Sequence, residues 1–169
     1  VTSLLVGETC GTAPGARVYY VAAPSWKKDA AYYARAMDWI LEQNKALPPE
    51  QKIRLVSVSA APGGDGSPFT VNLSEWDRAC ARAEAAGILV VDCTEHRGVI
   101  GPCWYDPAGP EVPARCTAGY PGMQAWTTDR ILAPCSNRTS AEEYQKGRFA
   151  YAYWGRGGLS WSIPYAAGV

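Results

Sequence analysis

The sequence predicts an α/β domain in which helices pack on the faces of a mostly parallel sheet, and three observations predict it. Three short runs rich in β-branched and aromatic residues, at 17–23, 53–59 and 88–92, have the composition of strands. Two longer segments between them repeat apolar residues with a period near 3.6, as helices with one buried face do. The order strand–helix–strand–helix–strand needs crossover connections, which are right-handed and set neighbouring strands parallel.

The segment "RVYYVAA" (17–23) reads as the first strand. Within 27–47, Ala30, Tyr33, Ala34, Met37, Ile40 and Leu41 recur on one helical face, and Pro48-Pro49 stands where a helix cannot continue. "IRLVSVS" (53–59) is the second strand, and "APGGDGSP" (61–68) is a loop by composition. Ser74 with Asp77 makes a capping pattern at the start of the second helix. Trp76, Cys80 and Ala83 share its inner face, and Gly87 suits its stop. "ILVVD" (88–92) is nearly continuous in apolar residues, as in a strand buried on both faces. Residues 98–150 are rich in Pro, Gly and Trp and predict long loops with one short strand near 130–134. In sheets of this kind ligands bind beyond the carboxyl ends of the strands, here 60–64 and 93–97.

Composition narrows the classes. A chain of 169 residues, 47% hydrophobic and 19% charged, has the size and make-up of one globular domain. Sixteen basic residues balance sixteen acidic ones without any Lys/Arg run, which argues against a nucleic-acid or anionic membrane surface. No apolar stretch approaches the ~18 residues of a spanning helix. The six cysteines form no CxxC pair, so a zinc site is not expected. Cys80 and Cys93 read as small buried hydrophobes, while Cys103 and Cys116 flank a Pro/Gly-rich loop and leave both a disulfide and two free thiols open. Asn137-Arg138-Thr139 is a glycosylation triplet, of meaning only in a eukaryotic secretory setting. "GGDGSP" is a peptide-facing turn rather than a phosphate loop, since no helix begins inside it. There is no initiator Met, and both ends look cut from something longer.

The last residues carry the most specific signal. Gly158-Leu159-Ser160-Trp161-Ser162-Ile163-Pro164-Tyr165-Ala166-Ala167-Gly168 resembles the nucleophile segment of subtilisin-like serine peptidases, Gly-Thr-Ser-(Met)-Ala-Ser-Pro-His-Val-Ala-Gly. The glycine, serine, proline, alanine and final glycine fall in register. "VTSLLVGETCGTAPGARVYYVAA" (1–23) resembles the stretch just after the His-Gly-Thr motif of that family, and "SVSAAPGG" (57–64) is similar to its substrate-binding strand and glycine loop. A lipase-type G-x-S-x-G elbow fits less well, because Ser162 stands where its second glycine belongs.

The resemblance implies a three-layer subtilisin-like fold, incomplete because its N-terminal part is missing, with residues 1–169 as a partial catalytic domain. It implies a serine endopeptidase acting through an acyl-enzyme on Ser160, with the Asp and His of the triad upstream of Val1. Ser160 is expected at a helix start, where its own N–H serves as one oxyanion donor, with Pro164 in or near the first turn. Substrate peptide is expected alongside Ser59, Ala60 and Ala61 by strand addition, near the glycines Gly63 and Gly158, with Cys93 and Thr94 bordering the specificity pocket. The family's second oxyanion donor is an asparagine; His96 falls at that position, and Thr94 is the second candidate. The loop at 7–12 is shorter than the family's calcium loop, so neither metal nor cofactor is expected. The partner implied is a peptide or protein substrate, with an extracellular or cell-surface setting slightly favoured; oligomeric state is left open.

The residues leave rivals. His96 as base with Asp92 orienting it has the types of a triad but places Asp92 in a strand, and Cys93 as nucleophile is weaker still. A subtilase-like domain that binds peptides without cleaving them is motivated by the altered oxyanion segment. An unrelated nucleotide-binding α/β domain lacks the G-x-G-x-x-G after its first strand.

Overall fold

A computed structural model describes residues 1–63, 68–94, 99–104, 106–109, 112, 115–118 and 130–169. The fold mixes helices with small sheets, in the α/β class. The chain divides into two compact units, Arg17–Gly98 and a second made of Val1–Ala16 with Val99–Val169.

The unit Arg17–Gly98 is a strand–helix–strand motif preceded by a helix. Strand β1 (Leu55–Val58) and strand β2 (Leu89–Asp92) pair in parallel, with Val56 opposite Val90 and Val58 opposite Asp92. Helix α2 (Ala31–Ala46) precedes β1, and helix α3 (Leu73–Ala85) makes the crossover. Ala30, Ala34 and Met37 at the start and on the inner face of α2 meet Trp76, Ala79, Cys80 and Ala83 of α3 in a core that includes Val56, Phe69 and Ile88. Small residues at the helix contact allow close approach. Tyr33 sets its ring edge-on to Phe69 and Trp76, with centroids 5.1 and 6.1 Å apart.

Three expectations are corrected in this unit. Residues 17–23 form no strand; Val18, Tyr19 and Tyr20 are exposed, and among the described residues no strand pairs with them. β-branched composition favours extended backbone, but a strand exists only with a ladder partner. Strand β2 is covered on one face only. Val56, Val58 and Val90 face the core, whereas Leu89 on the opposite face is 58% exposed. Helix α3 starts before Ser74: Asn72, at φ 58°, holds the cap position and Ser74 is the second helical residue. Gly87 does end the helix, at φ 76°. The amide of Ile88 donates to Ala83 and that of Gly87 to Glu84, which together close a Schellman motif.

Asp29 ties the starts of α2 and α3 together. Its carboxylate accepts from the Ala31 amide (2.9 Å) and from Asn72 Nδ2 (3.0 Å). The Asn72 hydrogen bond first, and the Ala31 amide second, hold its pKa below the ordinary carboxylate value. The unfolded chain therefore takes up this proton at a higher pH than the folded one does. The stabilisation is complete above about pH 4 and is lost as pH falls through the lowered folded value. Asp29→Asn is expected to flatten the acid limb of a plot of urea midpoint against pH below about pH 4. An acid limb of unchanged slope would show that other carboxylates set it.

In the other unit, helix α1 (Thr2–Val6) packs against helix α4 (Leu159–Gly168). The Thr12 hydroxyl stands 3.4 Å from the Leu4 carbonyl and 3.3 Å from that of Tyr165, positioned to donate to either. Strands β3 (Ile100–Trp104), β4 (Thr117–Ala118) and β5 (Ile131–Pro134) form a sheet of order β4-β3-β5, with β3 and β5 parallel. The strand expected near 130–134 is β5. Strand β3 and the hairpin of β6 (Arg138–Gln145) and β7 (Arg148–Trp154) replace the expected loops. The hairpin reverses at Lys146-Gly147, with Gly147 at φ 75°, a conformation that favours glycine.

Among the described residues, no helix is long and apolar enough to cross a membrane, and no cluster of His, Cys, Asp and Glu has the geometry to hold a metal ion.

Candidate functional site

Ser160 is the second residue of α4. Gly158, the N-cap, is fully extended, and its carbonyl accepts from the Trp161 amide at 2.8 Å, which closes the first turn. Amides at such a helix start point along the axis, and the macrodipole places positive potential there. Ser160 is half-buried. The sequence led to a serine at a helix N-terminus, and that is where it lies.

The turn that carries Ser160 is fixed from behind. Ser162 is fully buried, and its hydroxyl donates to the Ala133 carbonyl of β5 at 2.8 Å. Gly157 lies against the Cys135 carbonyl and the face of Trp161, so that any side chain there would collide with both. The sequence pattern did not single out Ser162 or Gly157 as anchors, although small residues flanking the serine are the trace they leave. Pro164 is the sixth residue of α4, just past its first turn. It lies inside α4, buried, where it has no N–H to give the carbonyl of Ser160 four residues back.

The other expected site residues lie in the unit Arg17–Gly98, at the carboxyl ends of β1 and β2. The Cys93 amide donates to the Ala60 carbonyl at 2.9 Å, which extends the parallel pairing and sets Ser59–Ala61 beside Cys93. Ser59, Ala60, Ala61 and Cys93 are half-buried, while Gly63 is buried. His96 lies outside the described residues.

Thr94 is engaged elsewhere. It is 1% exposed; its hydroxyl donates to Asp92 at 2.9 Å and its amide to the same carboxylate at 3.3 Å. Both donors that an oxyanion would need are thus turned inward, and the hydroxyl role expected of Thr94 is not served by this geometry. Asp92, 6% exposed, also accepts from Trp76 Nε1 at 2.6 Å. A buried carboxylate needs such partners, because desolvating it without them is costly. Asp92 is therefore a strut joining β2 to α3.

No family model matches the chain, and no curated protein matches it. One solved structure similar to it is that of the prenylagaramide maturation protease PagA, at 14% identity and a TM-score of 0.49, covering 90% of this chain and 49% of that one. The chain thus spans about half the length of that structure.

Proposed function

We propose that the chain is part of the catalytic domain of a subtilisin-type serine endopeptidase, with Ser160 as nucleophile. The observation that carries this reading is the placement of Ser160 in the first turn of α4, after the extended Gly158, within a segment that matches the family's nucleophile motif in register. In the whole protein, the base that takes the hydroxyl proton and the carboxylate that orients it would come from segments upstream of Val1, in a complete three-layer fold. Ser160 Oγ would attack the scissile carbonyl, and the tetrahedral oxyanion would form at the α4 N-terminus. Of the two candidates that the resemblance gives for the second donor, Thr94 is turned toward Asp92, which leaves His96 as the one proposed. Peptide substrate would lie along Ser59–Ala61, with Gly63 leaving room for its backbone and Cys93 at the pocket rim.

The test is covalent labelling of the full-length protein with a fluorophosphonate, followed by peptide mapping. Label on Ser160 supports the reading, and absence of label from Ser160 in a folded, full-length protein overturns it. His96→Ala in the same protein is expected to lower turnover roughly 100-fold, the scale for losing one oxyanion donor. Unchanged turnover would assign that role to another group. The inward-turned Thr94 favours a second reading, a peptide-binding domain without catalysis. That reading predicts peptide binding without label.

A further inference from the structure

Three of the six cysteines gather around the end of β3. Cys103 is buried on β3, with the antiparallel strand β4 on one side and the parallel strand β5 on the other. Cys103 stands opposite Ala118, so Cys116, two residues before Ala118, falls on the same face of the pair as Cys103. The Cys103 thiol donates to the Trp104 carbonyl at 3.5 Å and the Cys116 thiol to that of Val112 at 3.8 Å, and the two thiols are close enough to act on each other electrostatically. Across the other edge, Cys103 stands opposite Pro134, which puts Cys135 one residue out of step with it. There the link is through the backbone: the Cys135 amide donates to the Cys103 carbonyl at 2.9 Å. Strand alternation therefore pairs Cys103 with Cys116 rather than with Cys135.

We propose that Cys103 and Cys116 are a thiol pair that closes to a reversible disulfide, cross-linking β3 to the start of β4 and closing the chain between them into a ring. Both thiols are free in the structure, so the described state is the reduced one. The oxidant is a low-molecular-weight disulfide of the glutathione class. Cys116 is the more accessible of the two, half-buried beside a buried Cys103. Burial first, and the neighbouring Cys116 second, push the Cys103 thiol up, so the opening step belongs to Cys116. Its thiol loses a proton to solvent, and the thiolate attacks one sulfur of glutathione disulfide, expelling a glutathione thiolate. Cys103 then gives up its proton and attacks the Cys116 sulfur of the mixed disulfide, expelling the second glutathione thiolate. Two protein thiols are oxidised, one glutathione disulfide is reduced, and the two protons leave with the two glutathione products. Cys135 stays a spectator: it is fully buried, and burial pushes its thiol up to about 11.

The pairing does not depend on the peptidase reading, since it rests on β3 and β4 alone. The test uses the full-length protein equilibrated in glutathione buffers of stepped redox potential, then acid-quenched, unfolded, alkylated and mapped by mass spectrometry. The expected result is a single linked peptide joining Cys103 to Cys116, with Cys10, Cys80, Cys93 and Cys135 alkylated. The oxidised form should melt roughly 5 °C or more above the reduced one, because closing the ring restricts the unfolded chain. In C116S that difference should vanish and Cys103 should stay unmodified. In C103S a glutathione adduct should accumulate on Cys116, and C135S should keep the link. A Cys103–Cys135 link, or full alkylation of both Cys103 and Cys116 in the most oxidising buffer, overturns the proposal. The mapping on unmutated protein decides this even if a variant does not fold.

Discussion

Replacing Ser160 by alanine in the full-length protein is expected to abolish fluorophosphonate labelling and to lower kcat/KM for a peptide substrate by a factor on the order of 10⁴ or more. The size comes from the chemistry. Without the hydroxyl no acyl-enzyme forms, and only substrate positioning and oxyanion donors remain to favour attack by water. The substitution is otherwise small. Ser160 is half-buried in the first turn of α4, and alanine is a good helix former there. KM and the melting temperature should therefore change little while kcat collapses, the pattern of a group that acts in the transition state. A protein that retains both label and turnover without this hydroxyl would have its nucleophile elsewhere, and the reading of α4 would fail.

Much of the fold could be read from the sequence, and the misses have physical causes. Helices α2 and α3 were legible because the spacing of Ala30, Ala34 and Met37, and of Trp76, Cys80 and Ala83, leaves one orientation that buries them all. The helix start at Ser160 was legible from the small residues before it, of which Gly157 is the one that leaves no room for a side chain. Residues 17–23 misled, since propensity reports what backbone a segment favours and says nothing of a partner strand. The hairpin of β6 and β7 was missed because its strands bury little. Phe149, Tyr151 and Tyr153 alternate along β7 but are all exposed, and β6 is mostly polar, so the hairpin has no buried apolar face. Lys146-Gly147, a two-residue reversal between the strands, was the available signal. Thr94 turns inward for a local reason: a threonine two residues beyond an aspartate can be captured by that carboxylate. The pattern Asp92-x-Thr94 held that information.

The same carboxylate sets the second large effect, which falls on stability. Trp76 is 1% exposed in the middle of the α2–α3 core, and its indole N–H donates to the buried Asp92. Trp76→Ala removes both contributions. Loss of a large buried aromatic costs about 3–5 kcal/mol, and a buried carboxylate left one donor short adds roughly 1–3 kcal/mol. Against a typical total of about 5–15 kcal/mol, that is enough to leave a substantial fraction unfolded at physiological temperature. Trp76→Phe separates the two terms, since the ring keeps most of the volume and loses only the N–H. It should lower the urea midpoint by part of the alanine effect with the slope of the transition unchanged. In a double-mutant cycle, Trp76→Phe and Asp92→Asn should show a coupling well above the few tenths of a kcal/mol expected of independent sites. A cycle that closes additively would mean that the indole contributes by packing alone. The coupling also bears on the proposed site. Asp92 holds both Trp76 and Thr94, the residue two short of His96, so a weakened strut should slow turnover before it unfolds the domain. Turnover of Trp76→Phe that matches the unmutated protein would confine the strut to stability.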